Sequence, residues 1–431
     1  MYPLLKKPRK IIKYPESSAL IRSLDENINF LKQINETASE IFSLSDGSNS
    51  IEEIAGILSV KYNENYGKVL SIVKEFIYTS TLNNDVELQG HASRAKIDIL
   101  GSQDYWIPTI LTVELTYKCP LFCKHCYREC SMKRKEFIEL DLIKKIAIEM
   151  KDNGILYVQL TGGDPLYHPN FNEIVEEFIK NGIVITILTS GFYQSDKIFE
   201  FFKKNQKFIA GVQVSIDGLT EGHNSIRGRK DAYSRSMKFI SKLTELEYNI
   251  DVVTTLIDQN KDEVFELSHI LKEKGVKRHR LAVLIDAGRS KENGINADIR
   301  KKLIVDEWIE ELGKIISDDS FIVQLEEDHN FHSQHHCGAG FKLIRIDPDG
   351  FIHPCLMIDY PIYNLKKGTI GAYSEKYSNK FKEIVMPSKE NCKDCLLSAN
   401  CHGCISEGII NNELVDTCYW YDAEWKKTES F

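Results

Sequence analysis

Leu111-Thr-Val-Glu-Leu115-Thr-Tyr-Lys-Cys119-Pro-Leu-Phe-Cys123-Lys-His-Cys126-Tyr127 is the stretch whose reading decides the fold. A strand-like run, Leu111–Leu115, opens directly into three cysteines spaced C-x3-C-x2-C. Thiolates packed this closely either converge on a metal centre or scatter as core thiols. Three is one ligand fewer than a [4Fe–4S] cube or a structural zinc takes, so such a site is chemically open. Cys130 would complete a C-x3-C-x2-C-x3-C zinc site, the alternative at this point.

Outward from that stretch the chain alternates. Strand-like runs fall at 111–115, 155–160, 183–188, 209–215, 250–256 and 280–285, with helical stretches near 139–152, 171–181, 195–204, 231–247 and 261–274 between them. This spacing predicts parallel βαβ units, and six strands predict a partial (β/α)6 TIM barrel over 105–290 in an α/β chain. Chemistry in parallel barrels sits at the C-terminal strand ends. Those ends carry the cysteine loop, Thr161-Gly162-Gly163-Asp164-Pro165, Thr189-Ser190-Gly191, Ser215-Ile216-Asp217-Gly218, Thr254-Thr255 and Ala287-Gly288-Arg289.

Before the barrel, residues 1–95 read as a small winged-helix-like unit. Arg9–Lys13, Leu20–Ser23 and Ile28–Gln33 are expected strands, and Glu36–Leu44, 51–62 and Asn65–Leu82 expected helices. Ser50 with Glu53 is a capping-box signature for the second helix. The unit has few clustered basic residues, so it lacks the electrostatic footprint of a duplex reader. After the barrel, 291–327 reads as a helical bridge. Residues 328–431 read as a tail holding Cys337, Cys355, Cys392, Cys395, Cys401, Cys404 and Cys418.

Composition bounds the remainder. The 431 residues are 42% apolar and 27% charged, with a formal charge of −8, which argues against nucleic acid as the main partner. No apolar run reaches the ~18 residues of a membrane span. The N-terminus carries no apolar core of secretory type, so the eleven cysteines are expected reduced, in a cytoplasmic metalloprotein.

A C-x3-C-x2-C loop after the first strand of a βα barrel resembles the radical S-adenosylmethionine (SAM) enzymes. The resemblance implies that Cys119, Cys123 and Cys126 hold three irons of a [4Fe–4S] cluster, with the fourth left to chelate SAM. Gly162-Gly163-Asp164-Pro165 resembles that family's Gly-Gly-Glu-Pro motif, with Asp in place of Glu. Ser215, Asp217 and Arg227 resemble its ribose- and carboxylate-facing segment. His125, Tyr127, Thr189 and Thr255 complete the implied SAM contacts. His223, taken singly, reads equally as a surface-loop residue.

The tail resembles the seven-cysteine auxiliary-cluster domain called SPASM, departing from it in the x2 between Cys401 and Cys404 where x3 is usual. The family's pairing gives one [4Fe–4S] cluster Cys392, Cys395, Cys401 and Cys418. The other receives Cys337, Cys355 and Cys404, with its fourth ligand open among a nearby histidine, an aspartate, water or a substrate thiolate. A zinc-ribbon-like tail is the plainer alternative. The N-terminal unit resembles the domain that binds leader segments of ribosomally made precursor peptides, in which the leader adds as a strand to the sheet edge.

Together these features resemble a peptide-modifying radical maturase with three [4Fe–4S] clusters and SAM, served by a flavodoxin or ferredoxin and using neither nucleic acid nor membrane as a partner. The open auxiliary iron points to thioether formation on a substrate cysteine. A carbon–carbon cross-link of Lys–Trp type, a formylglycine-forming maturase and a DNA-binding redox sensor are the alternatives.

Overall fold

The computed structural model describes residues 1–25, 28–257, 259, 261–284, 287–295, 300–325 and 338–384. In chain order the N-terminal elements are β1 (Tyr2–Leu5), β2 (Lys10–Tyr14), β3 (Ser17–Asp25), β4 (Ile28–Ile34), α1 (Glu36–Leu44), α2 (Ile51–Tyr62), α3 (Tyr66–Leu82), β5 (Val86–Gln89) and β6 (Asp98–Gly101). The capping box at Ser50 and Glu53 is formed, each side chain meeting the other residue's backbone N–H. Three strands are additional to the sequence reading, and each has only four residues, too short to show a period. β1 pairs with β5, and β6 pairs parallel with β2, so the N-terminal sheet, ordered β4–β3–β2–β6, draws in residues beyond 95.

That sheet is buried on both faces. Successive side chains in a strand point to opposite sides. Ile11 and Leu20 accordingly pack with Ile41, Phe42, Ile54 and Ile77 of the three helices, and Ile12, Ala19 and Ile21 join the barrel core.

The barrel elements are β7 (Ile110–Thr116), α4 (Leu140–Asn153), β8 (Tyr157–Gly162), α5 (Phe171–Lys180), β9 (Val184–Thr189), α6 (Asp196–Asn205), β10 (Ile209–Ser215), α7 (Thr220–Arg227), α8 (Ala232–Glu245), β11 (Ile250–Leu256), α9 (Lys261–Glu273) and β12 (Arg278–Val283). Helix α5 shows why the pattern holds. Phe171, Ile174, Val175 and Phe178 are its buried residues, at the i, i+3, i+4 and i+7 spacing of one helical face. In β8, Val158 and Leu160 are buried while Tyr157 and Gln159 are partly open, the alternation of a strand with a polar barrel interior.

Beyond β12 come α10 (Arg289–Glu292), α11 (Arg300–Ile316), β13 (Ile322–Leu325), β14 (Leu343–Ile346), β15 (Phe351–His353), β16 (Tyr363–Asn364) and α12 (Ile370–Lys382). The expected six strands are extended at both ends. β13 pairs parallel with β12, and β14 pairs parallel with β7. Seven successive parallel pairings thus form an eight-stranded parallel sheet, which β15 and β16 continue antiparallel. The α/β core is a partial TIM barrel with a central parallel sheet. The bridge therefore contributes a strand as well as a helix, and β14 of the tail lies inside the sheet. Among the described residues no helix is long and apolar enough to cross a membrane.

Candidate active site

The loop after β7 folds back on itself at the C-terminal edge of the sheet. Its backbone is held by the end of α7 and the start of α10: Phe122 N–H donates to Arg227 O at 3.2 Å, Lys124 N–H to Ile226 O at 2.9 Å, and Arg289 N–H to Cys126 O at 3.1 Å. The Arg289 guanidinium adds bonds to Cys123 O at 2.8 Å and Cys130 O at 2.9 Å. Gly162 and Gly163 let the loop's base lie flat on β8. A Cβ at Gly163 would stand 2.4 Å from Lys118 O, and one at Gly162 2.2 Å from Thr116 O, with φ of +134° at Gly162.

The result is a cavity of about 280 Å³. Cys119, Cys123 and Cys126 line it together with His125, Tyr127, Gly162, Gly163, Thr189, Ser215, Arg227 and Thr255. Eleven of the thirteen expected cluster and SAM residues thus face one space. Asp164 and Asp217 do not line it; both lie behind its wall, 0% exposed. Of the tail cysteines, Cys355 is half-buried beside this cavity, whose wall includes its neighbours Leu356 and Met357. Cys337, Cys392, Cys395, Cys401, Cys404, Cys418 and the histidines near 329–336 lie outside the described residues.

Asp164 accepts from four donors: Leu166 N–H at 3.2 Å, the Thr189 hydroxyl at 2.9 Å, Ser190 N–H at 3.1 Å and the Ser190 hydroxyl at 2.5 Å. Its carboxylate therefore ties the end of β8 to the end of β9. Burial pushes its pKa up against those hydrogen bonds. Asp217 differs. Its Oδ2 lies 2.6 Å from Arg227 Nε and 3.7 Å from His125 Nε2, and its Oδ1 accepts from Thr255 N–H at 3.1 Å. Burial pushes this carboxyl up as well, but Arg227, His125 and His223 outweigh it and hold the pKa below the usual range. His223 is no surface-loop residue: it is buried, with Nδ1 accepting from Asp217 N–H at 2.9 Å. The Arg227 guanidinium then reaches Cys123 Sγ at 3.6 Å, placing a cation beside one of the three sulfurs.

The thiols are not alike. The adjacent Cys130 thiol holds the Cys126 pKa down at about 6, against the effect of burial. Burial raises Cys123 to about 11, and burial likewise pushes the Cys119 thiol well above its ordinary value. Cys130 lines the cavity too, its backbone N–H directed at Cys126 Sγ at 3.4 Å. Among the described residues no three His, Cys, Asp or Glu side chains stand close enough to hold a single metal ion. A cube requires something else, since its three thiolates bind three separate irons. An all-sulfur donor set, one ligand short, opening on a space lined by hydroxyls, backbone and an arginine fits a cluster with SAM on its open iron.

Residues 113–287 match the family model of the Radical SAM superfamily. The chain carries a radical SAM domain. The matched residues run from within β7 to just past β12 and include the cysteine loop and the strand-end residues from Gly162 to Thr255, with Arg289 two residues beyond them. The family implies a SAM-binding [4Fe–4S] cluster together with SAM. The chain is 27% identical over 97% of its length, and 96% of the relative's, to the antilisterial bacteriocin subtilosin biosynthesis protein AlbA of Bacillus subtilis (strain 168). It is 26% identical to the sporulation killing factor maturation protein SkfB of the same organism, over 62% of this chain and 64% of SkfB. In fold it is similar to Streptococcus suis SuiB, solved with S-adenosylmethionine, at a TM-score of 0.66 and 16% identity over 94% of this chain and 96% of SuiB. SuiB has also been solved bound to its precursor peptide SuiA.

Arg289 and Ser190 were not singled out from the sequence as site residues, although both sit in strand-end segments that were. Their signal was position: each follows a parallel strand at the edge where the cysteine loop lies.

Proposed function

We propose that this radical SAM enzyme is a maturase of a ribosomally made precursor peptide, joining a cysteine sulfur of that peptide to an acceptor carbon. The observation that carries the maturase reading is the match to AlbA over nearly the whole chain, supported by SkfB and by mycofactocin maturase MftC at 25% identity over 58% of the chain. When bound, the cluster and SAM supply a one-electron reductive cleavage that yields a hydrogen-atom abstractor. The chain's own residues bind and orient: the Gly162–Gly163 backbone, Ser215 and Thr255 face the cavity, and Arg227 offers a cation suited to a carboxylate.

Thioether formation removes two hydrogens. One leaves the acceptor carbon as an atom, the thiol gives up a proton, and one electron passes to an oxidant. Auxiliary iron–sulfur clusters held by the seven tail cysteines are the oxidant class this reading requires, and the seven-for-eight ligand count leaves an iron open for the substrate sulfur. The leader is read as adding to the N-terminal sheet, which ends on β4 and β6. Flavodoxin or ferredoxin is the proposed reductant.

The test is mass spectrometry of the co-expressed precursor peptide. A loss of two mass units per modification, with one cysteine becoming resistant to alkylation, supports the thioether. The same mass loss with every cysteine still alkylatable overturns it in favour of a carbon–carbon link. Replacing Cys119, Cys123 and Cys126 by Ala should abolish reductive SAM cleavage.

A further inference from the structure

Glu114 stands inside β7, between Val113 and Leu115, and all three are fully buried. A carboxylate in that position is costly unless it is paired. Its pairing is a closed ring of alternating charge. Glu114 Oε1 meets Arg128 Nε at 2.9 Å, and Arg128 Nη1 meets Asp359 Oδ1 at 3.1 Å. The same Asp359 oxygen meets Arg345 Nη2 at 2.8 Å, and Arg345 Nη1 returns to Glu114 Oε2 at 2.5 Å. Two cations and two anions balance.

The remaining donors point at one target. Arg128 Nη2 donates to Leu356 O at 2.7 Å, and Arg345 Nε donates to Cys355 O at 3.2 Å. The four ring members come from four segments: the first barrel strand, the cysteine loop two residues past Cys126, β14, and the turn after Cys355. Leu356 and Met357 in that turn are themselves cavity wall. Planar guanidinium groups hold such geometry far more tightly than flexible ammonium groups would. Buried ionic groups of this kind contribute little net stability, and fixing position is their better-attested use.

We propose that the Glu114–Arg128–Asp359–Arg345 ring is a positioning device that locks the Cys355 segment to the cysteine loop. It thereby sets the placement of the radical-generating centre relative to the centre Cys355 helps to hold, and keeps Leu356–Met357 closed over the SAM cavity. The second half rests on the reading of Cys355 as an auxiliary-cluster ligand.

Hydrogen–deuterium exchange on the full-length, anaerobically reconstituted protein tests it, with SAM binding measured in parallel. Asp359 lies at the solvent edge of the ring, its side chain 69% exposed, so its replacement keeps the fold. In Asp359→Asn, exchange should accelerate about tenfold in both 355–359 and 119–130, the loss expected for one charge-assisted contact, while α5 and α8 are unchanged. The SAM dissociation constant should rise with it, and Asp359→Glu should restore both. Acceleration confined to 355–359 with SAM affinity unchanged, or no restoration by Asp359→Glu, overturns the proposal. Iron analysis of Cys355→Ala judges the ligand reading separately: full iron retention would remove Cys355 as a ligand, and the exchange result would still decide whether the ring couples the two segments.

Discussion

Asp164 and Asp217 are both fully buried carboxylates just beyond the C-terminal ends of barrel strands, and they are held in opposite ways. Asp164 is surrounded by neutral donors, two hydroxyls and two backbone N–H groups, and its pKa is raised by burial. Asp217 has a guanidinium at 2.6 Å and its pKa is lowered. Neutral donors can shape a turn without fully offsetting the loss of water, whereas a buried counter-charge can reverse the sign of the shift. The first carboxylate is therefore read as a clasp between β8 and β9. The second aims a cation at Cys123 and the SAM space.

The largest test of this contrast is Arg227→Met. It strands the Asp217 charge in the interior and should destabilise the fold by about 3–5 kcal/mol in denaturant unfolding. A cost no greater than that of losing one Asp164 donor would end the distinction. Gly163→Ala probes what the Asp164 clasp supports. The new methyl meets Lys118 O at 2.4 Å, so the loop must lift, at about 1–3 kcal/mol, with loss of reconstituted iron.

A pH series separates the two carboxylates by sign. With its folded pKa lowered, Asp217 contributes stability that is complete above the ordinary carboxyl pKa of 3.8 and is lost as pH falls through the folded value. With its folded pKa raised, Asp164 is ionised at a cost that disappears as pH falls below that ordinary value. In unfolding midpoints measured from pH 7 down to about 2, the deficit of Asp217→Asn relative to wild type should therefore shrink, and any advantage of Asp164→Asn should shrink too, the two curves shifting in opposite directions. The smallest effect is Thr189→Val, which removes one of several donors to Asp164 and should cost about 1 kcal/mol at neutral pH. A similar cost at pH 3.5 would mean that the hydroxyl serves Gly191 N–H, its 3.1 Å donor, more than the carboxylate.

Much of the fold was legible because long elements carry a period. The six expected barrel strands and the five helices between them lie within a few residues of β7–β12 and of α4, α5, α6, α8 and α9. Helix α7, eight residues with His223, Ile226 and Arg227 buried, escaped because its sequence, Thr-Glu-Gly-His-Asn-Ser-Ile-Arg, is mostly polar. The four-residue strands β13 and β14 escaped because four residues show no period, and because their parallel partners β12 and β7 are distant in sequence. Glu114 did leave a signal, a charge inside an apolar strand. Its partners Arg128, Arg345 and Asp359 could not be found by spacing, since they lie 14 to 245 residues away along the chain.

What the sequence determined by itself was chemical: three thiolates in eight residues with one ligand missing, and a row of glycines and hydroxyls at the ends of regularly spaced strands. Those are properties of residue type and local period, and they do not depend on how distant segments meet. Only the tertiary structure decided which oxygen faces which donor. It turned Asp164 inward to Thr189 and Ser190, turned Arg227 toward both Asp217 and Cys123, and closed a ring of four charges around the approach to Cys355. Burial and charge pairing act over a few ångströms in space, whatever the separation along the chain, and that is why they had to be seen folded.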